Sequence, residues 1–204
     1  FYVTKNISTG EGGMLTTNDE NLYNCAKVYS LHGMDKNAYN RYMQGGSHCY
    51  DVKFAGFKYN MTDIAASLGI CQLDRIEQMQ NKRNKYANLY NERFKSSELI
   101  SSLKINEYGK TSNHLFVIKL NLEKLKIARD DFILKLAEYN IGTSVHFKPI
   151  HHHSLYKNAF NCSLPNADRF YERIISLPLY PSMNIEDVEY VADAVCKIAK
   201  DNAK

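Results

Sequence analysis

Thr4-Lys5-Asn6-Ile7-Ser8-Thr9-Gly10-Glu11-Gly12-Gly13 is the stretch on which the reading of this chain turns. Phe1 to Val3 reads as the end of a strand, the three glycines mark a turn, and Met14 to Thr17 reads as a short returning strand. A lysine at such a place suits an amine that must meet a bound carbonyl. A Schiff-base lysine needs a fixed position and a lowered pKa, because only the neutral amine attacks. The competing reading is a solvated lysine beside a hairpin, and composition by itself favours it.

Outward from this stretch, Asn18 is expected to cap a helix in which Leu22, Ala26 and Tyr29 keep the 3–4 spacing, ending near His32-Gly33. Residues 34–56, with Tyr39, Tyr42, Tyr50, Gly45 and Gly46, show no period and read as a long loop of the functional or interfacial kind. From Thr62 to about Phe94, Ile64, Leu68, Cys71, Gln72, Ile76 and Met79 form one stripe of a single helix, roughly 50 Å long at ~1.5 Å per residue. After Lys95 a smaller α/β unit is expected. Its strands are Leu115–Leu120 and Gly142–Phe147; its helices are Arg129–Asn140, Asn166–Ile175 and one from Ile185 to about Lys200, capped by Asn184. No internal repeat is visible.

The 204 residues are 44% apolar and 24% charged, enough to bury a core and too balanced for a disordered tail. The net charge of +4 comes from lysines and arginines scattered among acidic residues, which excludes a nucleic-acid footprint. The longest clean apolar runs, such as Leu115 to Ile118, are far too short for a transmembrane helix. The five cysteines are isolated and odd in number, so reduced thiols of a cytoplasmic protein are expected rather than a disulfide framework. His151-His152-His153 invites a metal reading. Adjacent side chains are expected to diverge, however, and no acidic partner lies nearby in sequence, so the expectation is an exposed histidine-rich turn and no metal site.

Further segments recur in order with the lysine stretch. They are Leu31-His32-Gly33-Met34, the run Gly56-Phe57-Lys58-Tyr59-Asn60-Met61-Thr62-Asp63, Ser112-Asn113-His114-Leu115-Phe116, Val145-His146-Phe147-Lys148-Pro149-Ile150-His151 and Ser176-Leu177-Pro178-Leu179-Tyr180-Pro181. Together they resemble the DegT/DnrJ/StrS aminotransferases, the pyridoxal-phosphate (PLP) dependent nucleotide-sugar aminotransferase family, over essentially the whole chain. The resemblance implies an α/β fold-type-I PLP transferase, C-terminal part. Residues 1–60 would end the PLP-binding large domain, 61–95 would be the connecting helix and 96–204 the small α/β domain.

The resemblance also assigns roles. Lys5 would be the catalytic lysine joined to PLP, and on its release the general base. Relatives with His at this position act as dehydratases; the Lys here favours amino transfer. The family's Gly-x-Asn-x-Arg phosphate-holding stretch is here Gly56 to Asn60, with Lys58 in the Asn position and Asn60 in the Arg position. Either could meet the cofactor phosphate, and Asn60 or Thr62 could equally be a plain helix cap. His146, Lys148 and His151 would approach the nucleotide-sugar. His114 is expected to pack beside Phe116, and Glu11 is left open between a subunit contact and solvent.

The implied reaction moves an amino group from glutamate to a keto group of a nucleotide-linked sugar, in a homodimer whose active site is shared across the interface. Its products would feed surface polysaccharide, lipopolysaccharide or glycoprotein-glycan synthesis. The rivals are a PLP-dependent sugar dehydratase, a cyclitol aminotransferase, or a truncated non-catalytic interaction module. Because the chain opens inside an apparent domain at Phe1, it is expected to be part of a longer protein and unable to hold PLP productively alone.

Overall fold

The computed structural model describes residues 1–34, 50–106, 108–160 and 162–204. Most of the expected long loop, residues 35–49, therefore lies outside the described residues. The chain divides into two compact units, Phe1–Ile76 and Glu77–Lys204.

In the first unit, helix α1 (Glu20–Tyr29) is capped by Asp19, whose carboxylate accepts from the backbone N–H of Asn21 (2.8 Å) and Leu22 (3.2 Å). The expected cap, Asn18, is one residue off. The Thr17 hydroxyl accepts from the Asp19 amide at 3.0 Å and sets Asp19 at the cap position. Met14–Thr17 is not a strand: Met14 and Leu15 are exposed, and only Tyr2 and Gly10 form a bridge in this segment. A strand exists only through a partner, and none of the described residues pairs with these four.

The long helix is interrupted. Helix α2 (Asp63–Leu73) ends before Asp74-Arg75, and helix α3 (Ile76–Phe94) follows. The Arg75 N–H bonds the Gln72 carbonyl, three residues back instead of four, which tightens the turn and breaks the regular ladder. No Pro or Gly stands there, so nothing in the sequence pattern announces the break.

The second unit is built on a three-stranded sheet in the order β1-β2-β3. Strands β1 (Ile100–Ser102) and β3 (Ile174–Leu177) both pair antiparallel with β2 (Phe116–Leu120), Ile100 opposite Leu120 and Phe116 opposite Leu177. Strand β2 shows the period-2 pattern of a half-buried strand: Phe116, Ile118 and Leu120 are buried and Lys119 is exposed. Against this sheet pack the apolar residues of α3 (Tyr86, Ala87, Tyr90, Phe94), of helix α4 (Arg129–Glu138; Phe132, Leu136) and of the C-terminal helix Ile185–Asp201. That last helix places Val188, Val191, Ala192, Val195, Ile198 and Ala199 on one stripe. Its start is closed by a capping box: the Asp187 N–H donates to Asn184 Oδ1 (2.7 Å) and the Asn184 N–H to Asp187 Oδ2 (2.9 Å).

Two expectations in this unit are corrected. The helix expected over Asn166–Ile175 runs only from Pro165 to Tyr171, and Ile174–Leu177 is strand β3, buried at every position. A pair of β-branched isoleucines favours the sheet, and burial on both sides removes the alternation that would have marked a strand. Gly142–Phe147 is not a strand: only Ser144 pairs, with Ser176, through Ser144 N–H to Ser176 O (3.2 Å) and Ser176 N–H to Ser144 O (2.8 Å).

Arg83, on α3, is buried although charged. Its Nη1 donates to the carbonyls of Leu179 (2.9 Å), Asn113 (3.2 Å) and His114 (3.4 Å), and burial pushes its pKa down. Tyr90 is fully buried, its hydroxyl donates to the Pro178 carbonyl at 3.0 Å, and desolvation pushes its pKa well up. Two of the motif segments, 112–116 and 176–181, are thus tied to α3 through their backbone carbonyls.

Candidate active site

The lysine stretch is a tight, self-bonded turn. The Lys5 N–H donates to the Tyr2 carbonyl (2.9 Å) and the Thr9 N–H to the Phe1 carbonyl (3.0 Å). Thr9 is buried, and its hydroxyl donates to the Glu11 carbonyl at 2.6 Å. Gln72 of α2 clamps the turn from outside, accepting from the Ser8 N–H at 3.1 Å and donating back to the Ser8 carbonyl. Gly12 stands at φ +145°, a backbone conformation that side-chain-bearing residues rarely adopt and glycine takes without strain.

Two other motif segments meet at a backbone crossing. A Cβ on Gly33 would lie 1.9 Å from the Phe54 carbonyl oxygen, and one on Gly56 would lie 2.2 Å from the Gly33 nitrogen. Both glycines are required by the close approach of two main chains, not by side-chain chemistry. Past the crossing, Phe57 N–H donates to the Tyr29 carbonyl (2.7 Å) and Tyr59 N–H to the Ser30 carbonyl (2.8 Å), completing the C-terminal end of α1. Lys58 pairs with Leu31 in the same ribbon.

That ribbon and the glycine turn wall an open cleft of about 1170 Å³. Gly12, Gly13, Lys27, Lys58, Asn60 and Thr62 all line it. The Lys58 ammonium donates to Asn60 Oδ1, so the two residues expected at the cofactor phosphate are side by side. Thr62 settles the capping question: its hydroxyl accepts from the Ala65 N–H at 3.2 Å and starts α2, leaving Asn60 uninvolved as a cap. An ammonium, an amide and the glycine-turn backbone beside a helix start form a donor set suited to a phosphate. Lys5 lies in the same unit but is exposed and is not among the residues lining this cleft.

In the second unit, His146 Nδ1 is 2.8 Å from the hydroxyl of buried Ser176. Lys148 and His151 share a separate cleft of about 520 Å³, which His146 does not line. The premises for dismissing a metal fail here. His151 and His152 do not diverge; in the 3-10 turn Ile150–His152 both Nε2 atoms reach one oxygen of Asp168, at 2.6 and 2.8 Å. Asp168 stands in the first turn of the helix Pro165–Tyr171, a partner that sequence distance concealed. Cys25, Cys71, Cys162 and Cys196 carry free thiols; Cys49 lies outside the described residues.

The sequence profile of the DegT/DnrJ/EryC1/StrS aminotransferase family matches residues 1–196. The chain belongs to this family. The uncharacterized protein MJ1066 of Methanocaldococcus jannaschii is 46% identical over 205 residues, covering 99% of this chain and 53% of that protein. The spore coat polysaccharide biosynthesis protein SpsC of Bacillus subtilis is 45% identical over 204 residues, covering 98% and 52%. The chain thus spans about half the length of the curated relatives it matches. Among solved structures, the proposed sugar aminotransferase Spr1654 of Streptococcus pneumoniae in its PMP form superimposes with a TM-score of 0.85 at 32% identity, covering 98% of this chain and 52% of that one. Spr1654 has also been solved in apo and PLP forms. The fold is that of the fold-type-I aminotransferases. Among the described residues no helix is long and apolar enough to cross a membrane.

The two residues expected at the cofactor phosphate, Lys58 and Asn60, line one cleft. Sequence reasoning missed Arg83 and Asp168, because a buried cation on a charged helix and an aspartate 17 residues from its histidine leave no local pattern.

Proposed function

We propose that the protein of which this chain is a part or the whole is a PLP-dependent aminotransferase acting on a nucleotide-linked keto sugar in surface-glycan synthesis. Family membership over residues 1–196, with Lys5 inside the matched region, is the observation that carries the reading. The SpsC and Spr1654 likenesses support the sugar and the cofactor. PLP supplies, when bound, an electron sink that lets an amino acid's Cα–H be broken and an amino group be held between substrates. Overall, glutamate's amino group moves to the sugar's keto carbon and glutamate leaves as its 2-oxo acid.

Lys5 Nζ is the residue for covalent attachment and then for carrying the proton at the amino-bearing carbon. Its exposure in this unit leaves the amine accessible to a cofactor. Lys58 and Asn60 hold the phosphate, the ammonium as a point charge and the Asn60 amide N–H as a donor. His146, Lys148 and His151 bind the nucleotide-sugar. Residues 1–60 belong to the large domain, 61–95 connect and 96–204 form the small domain. The active assembly is a cytoplasmic homodimer sharing its site across the interface.

Borohydride reduction of the whole protein with PLP, followed by peptide mass mapping, tests the assignment. A pyridoxyl adduct on Lys5 is expected; an adduct on another lysine with Lys5 unmodified overturns it.

A further inference from the structure

We propose that His151, His152 and Asp168 form a binding site for a divalent transition-metal ion of the zinc class. Three ligand atoms of the preferred types, two imidazole nitrogens and a carboxylate oxygen, all lie within 4.8 Å of one another. They come from two separate elements, the 3-10 turn Ile150–His152 and the helix Pro165–Tyr171, so their convergence is tertiary.

The cluster is held in place. The side chain of His151 is only 9% exposed. The His152 ring meets the Tyr171 ring edge-on, with centroids 5.9 Å apart, and Tyr171 in turn lies under the Arg129 guanidinium at 5.0 Å. Such outer contacts fix ring orientation in metal sites. The Nε2 atoms stand 2.6 and 2.8 Å from Asp168 Oδ1, the distances of hydrogen bonds. Ligands about 2.0–2.2 Å from a tetrahedral zinc lie roughly 3.3 Å apart, so the two separations to Asp168 need to widen by only about 0.5–0.7 Å. Each ring would move its proton to Nδ1 and present the Nε2 lone pair, a tautomer change with no net proton loss from a neutral imidazole.

Two neutral imidazoles and one carboxylate carry a single negative charge against the ion's two positive ones. The site opens onto the cleft of about 520 Å³ that Lys148 and Lys157 also line. Those ammonium groups favour an anionic fourth ligand. This assignment does not rest on the roles proposed for Lys5, Lys58 and Asn60, which belong to the other unit, but it gives His151 a role different from the nucleotide-sugar contact proposed above.

The test is calorimetric titration of ZnCl2 into the whole, untagged protein, with Co2+ absorption as a second readout of coordination. Binding of one ion is expected, weakened at least ~10-fold in Asp168→Asn and in His152→Ala and unchanged in His153→Ala. Circular dichroism checks each variant; should Asp168→Asn unfold, His152→Ala, at a more exposed side chain, decides. No saturable zinc binding, binding that survives His152→Ala, or an equal loss in His153→Ala overturns the proposal.

Discussion

Residues 1–76 and residues 77–204 are built on opposite terms. Among the described residues of the first unit only Thr9 and Gly33 are buried, and helices α1 and α2 bury none of theirs. Ile64 is 78% exposed there. In the second unit every sheet strand and three of the helices feed one continuous apolar cluster from Tyr86 to Ala199. The first unit is held by backbone crossings, caps and a side-chain clamp; the second by removal of apolar surface from water. The residues proposed for the cofactor lie in the first, so their chemistry and the stability of the chain reside in different stretches of sequence.

The sharpest break of this contrast is Lys5→Ala. In the active enzyme it is expected to lower turnover by on the order of 10³-fold while leaving the unfolding midpoint unchanged. Steady-state kinetics beside a thermal melt read both halves; a melt that shifts would place Lys5 in the packing. Next comes a pair of truncations. Leu136→Ala, in the core, should cost about 2–5 kcal/mol in denaturant unfolding, whereas Ile64→Ala, on the exposed face of α2, should stay within about 0.5 kcal/mol. Equal costs would erase the distinction between the units.

Arg83→Met removes a buried cation from three carbonyls and leaves them unsatisfied. A loss of about 2–3 kcal/mol is expected on the same assay. Asn184→Ala opens the capping box of the last helix and should cost about 1 kcal/mol.

The smallest effect is on pH dependence. Glu123 accepts from both terminal nitrogens of Arg173, at 2.5 and 2.7 Å, and this pairing lowers its pKa from 4.5 to about 2. A depressed carboxylate stabilises above its unfolded pKa, and that contribution fades as pH falls from 4.5 toward 2. Glu123→Gln should therefore flatten the acid limb of a stability-versus-pH curve and change nothing at neutral pH. A steeper acid limb in the variant would reverse the assigned sign.

Wherever local chemistry repeats along the chain, the sequence was legible. The period of 3.6 found α1, α4 and the last helix, Asn184 marked that helix's start, and the short apolar run from Leu115 found β2. Motif position singled out Lys58 and Asn60, and both line one cleft. The break at Asp74-Arg75 was not legible because it is a change in hydrogen-bond reach with no breaker residue. Strand β3 was not, because a strand buried on both faces lacks alternation.

Order, spacing and residue type thus determined the family and the elements that carry their own periodicity, since those are properties of neighbours along the chain. Only the tertiary structure decided that His151 and His152 share Asp168, that Arg83 is buried among carbonyls and that Gly33 and Gly56 touch. Each of these joins residues 16 or more positions apart, and the energy of such a contact depends on a distance that no linear pattern encodes.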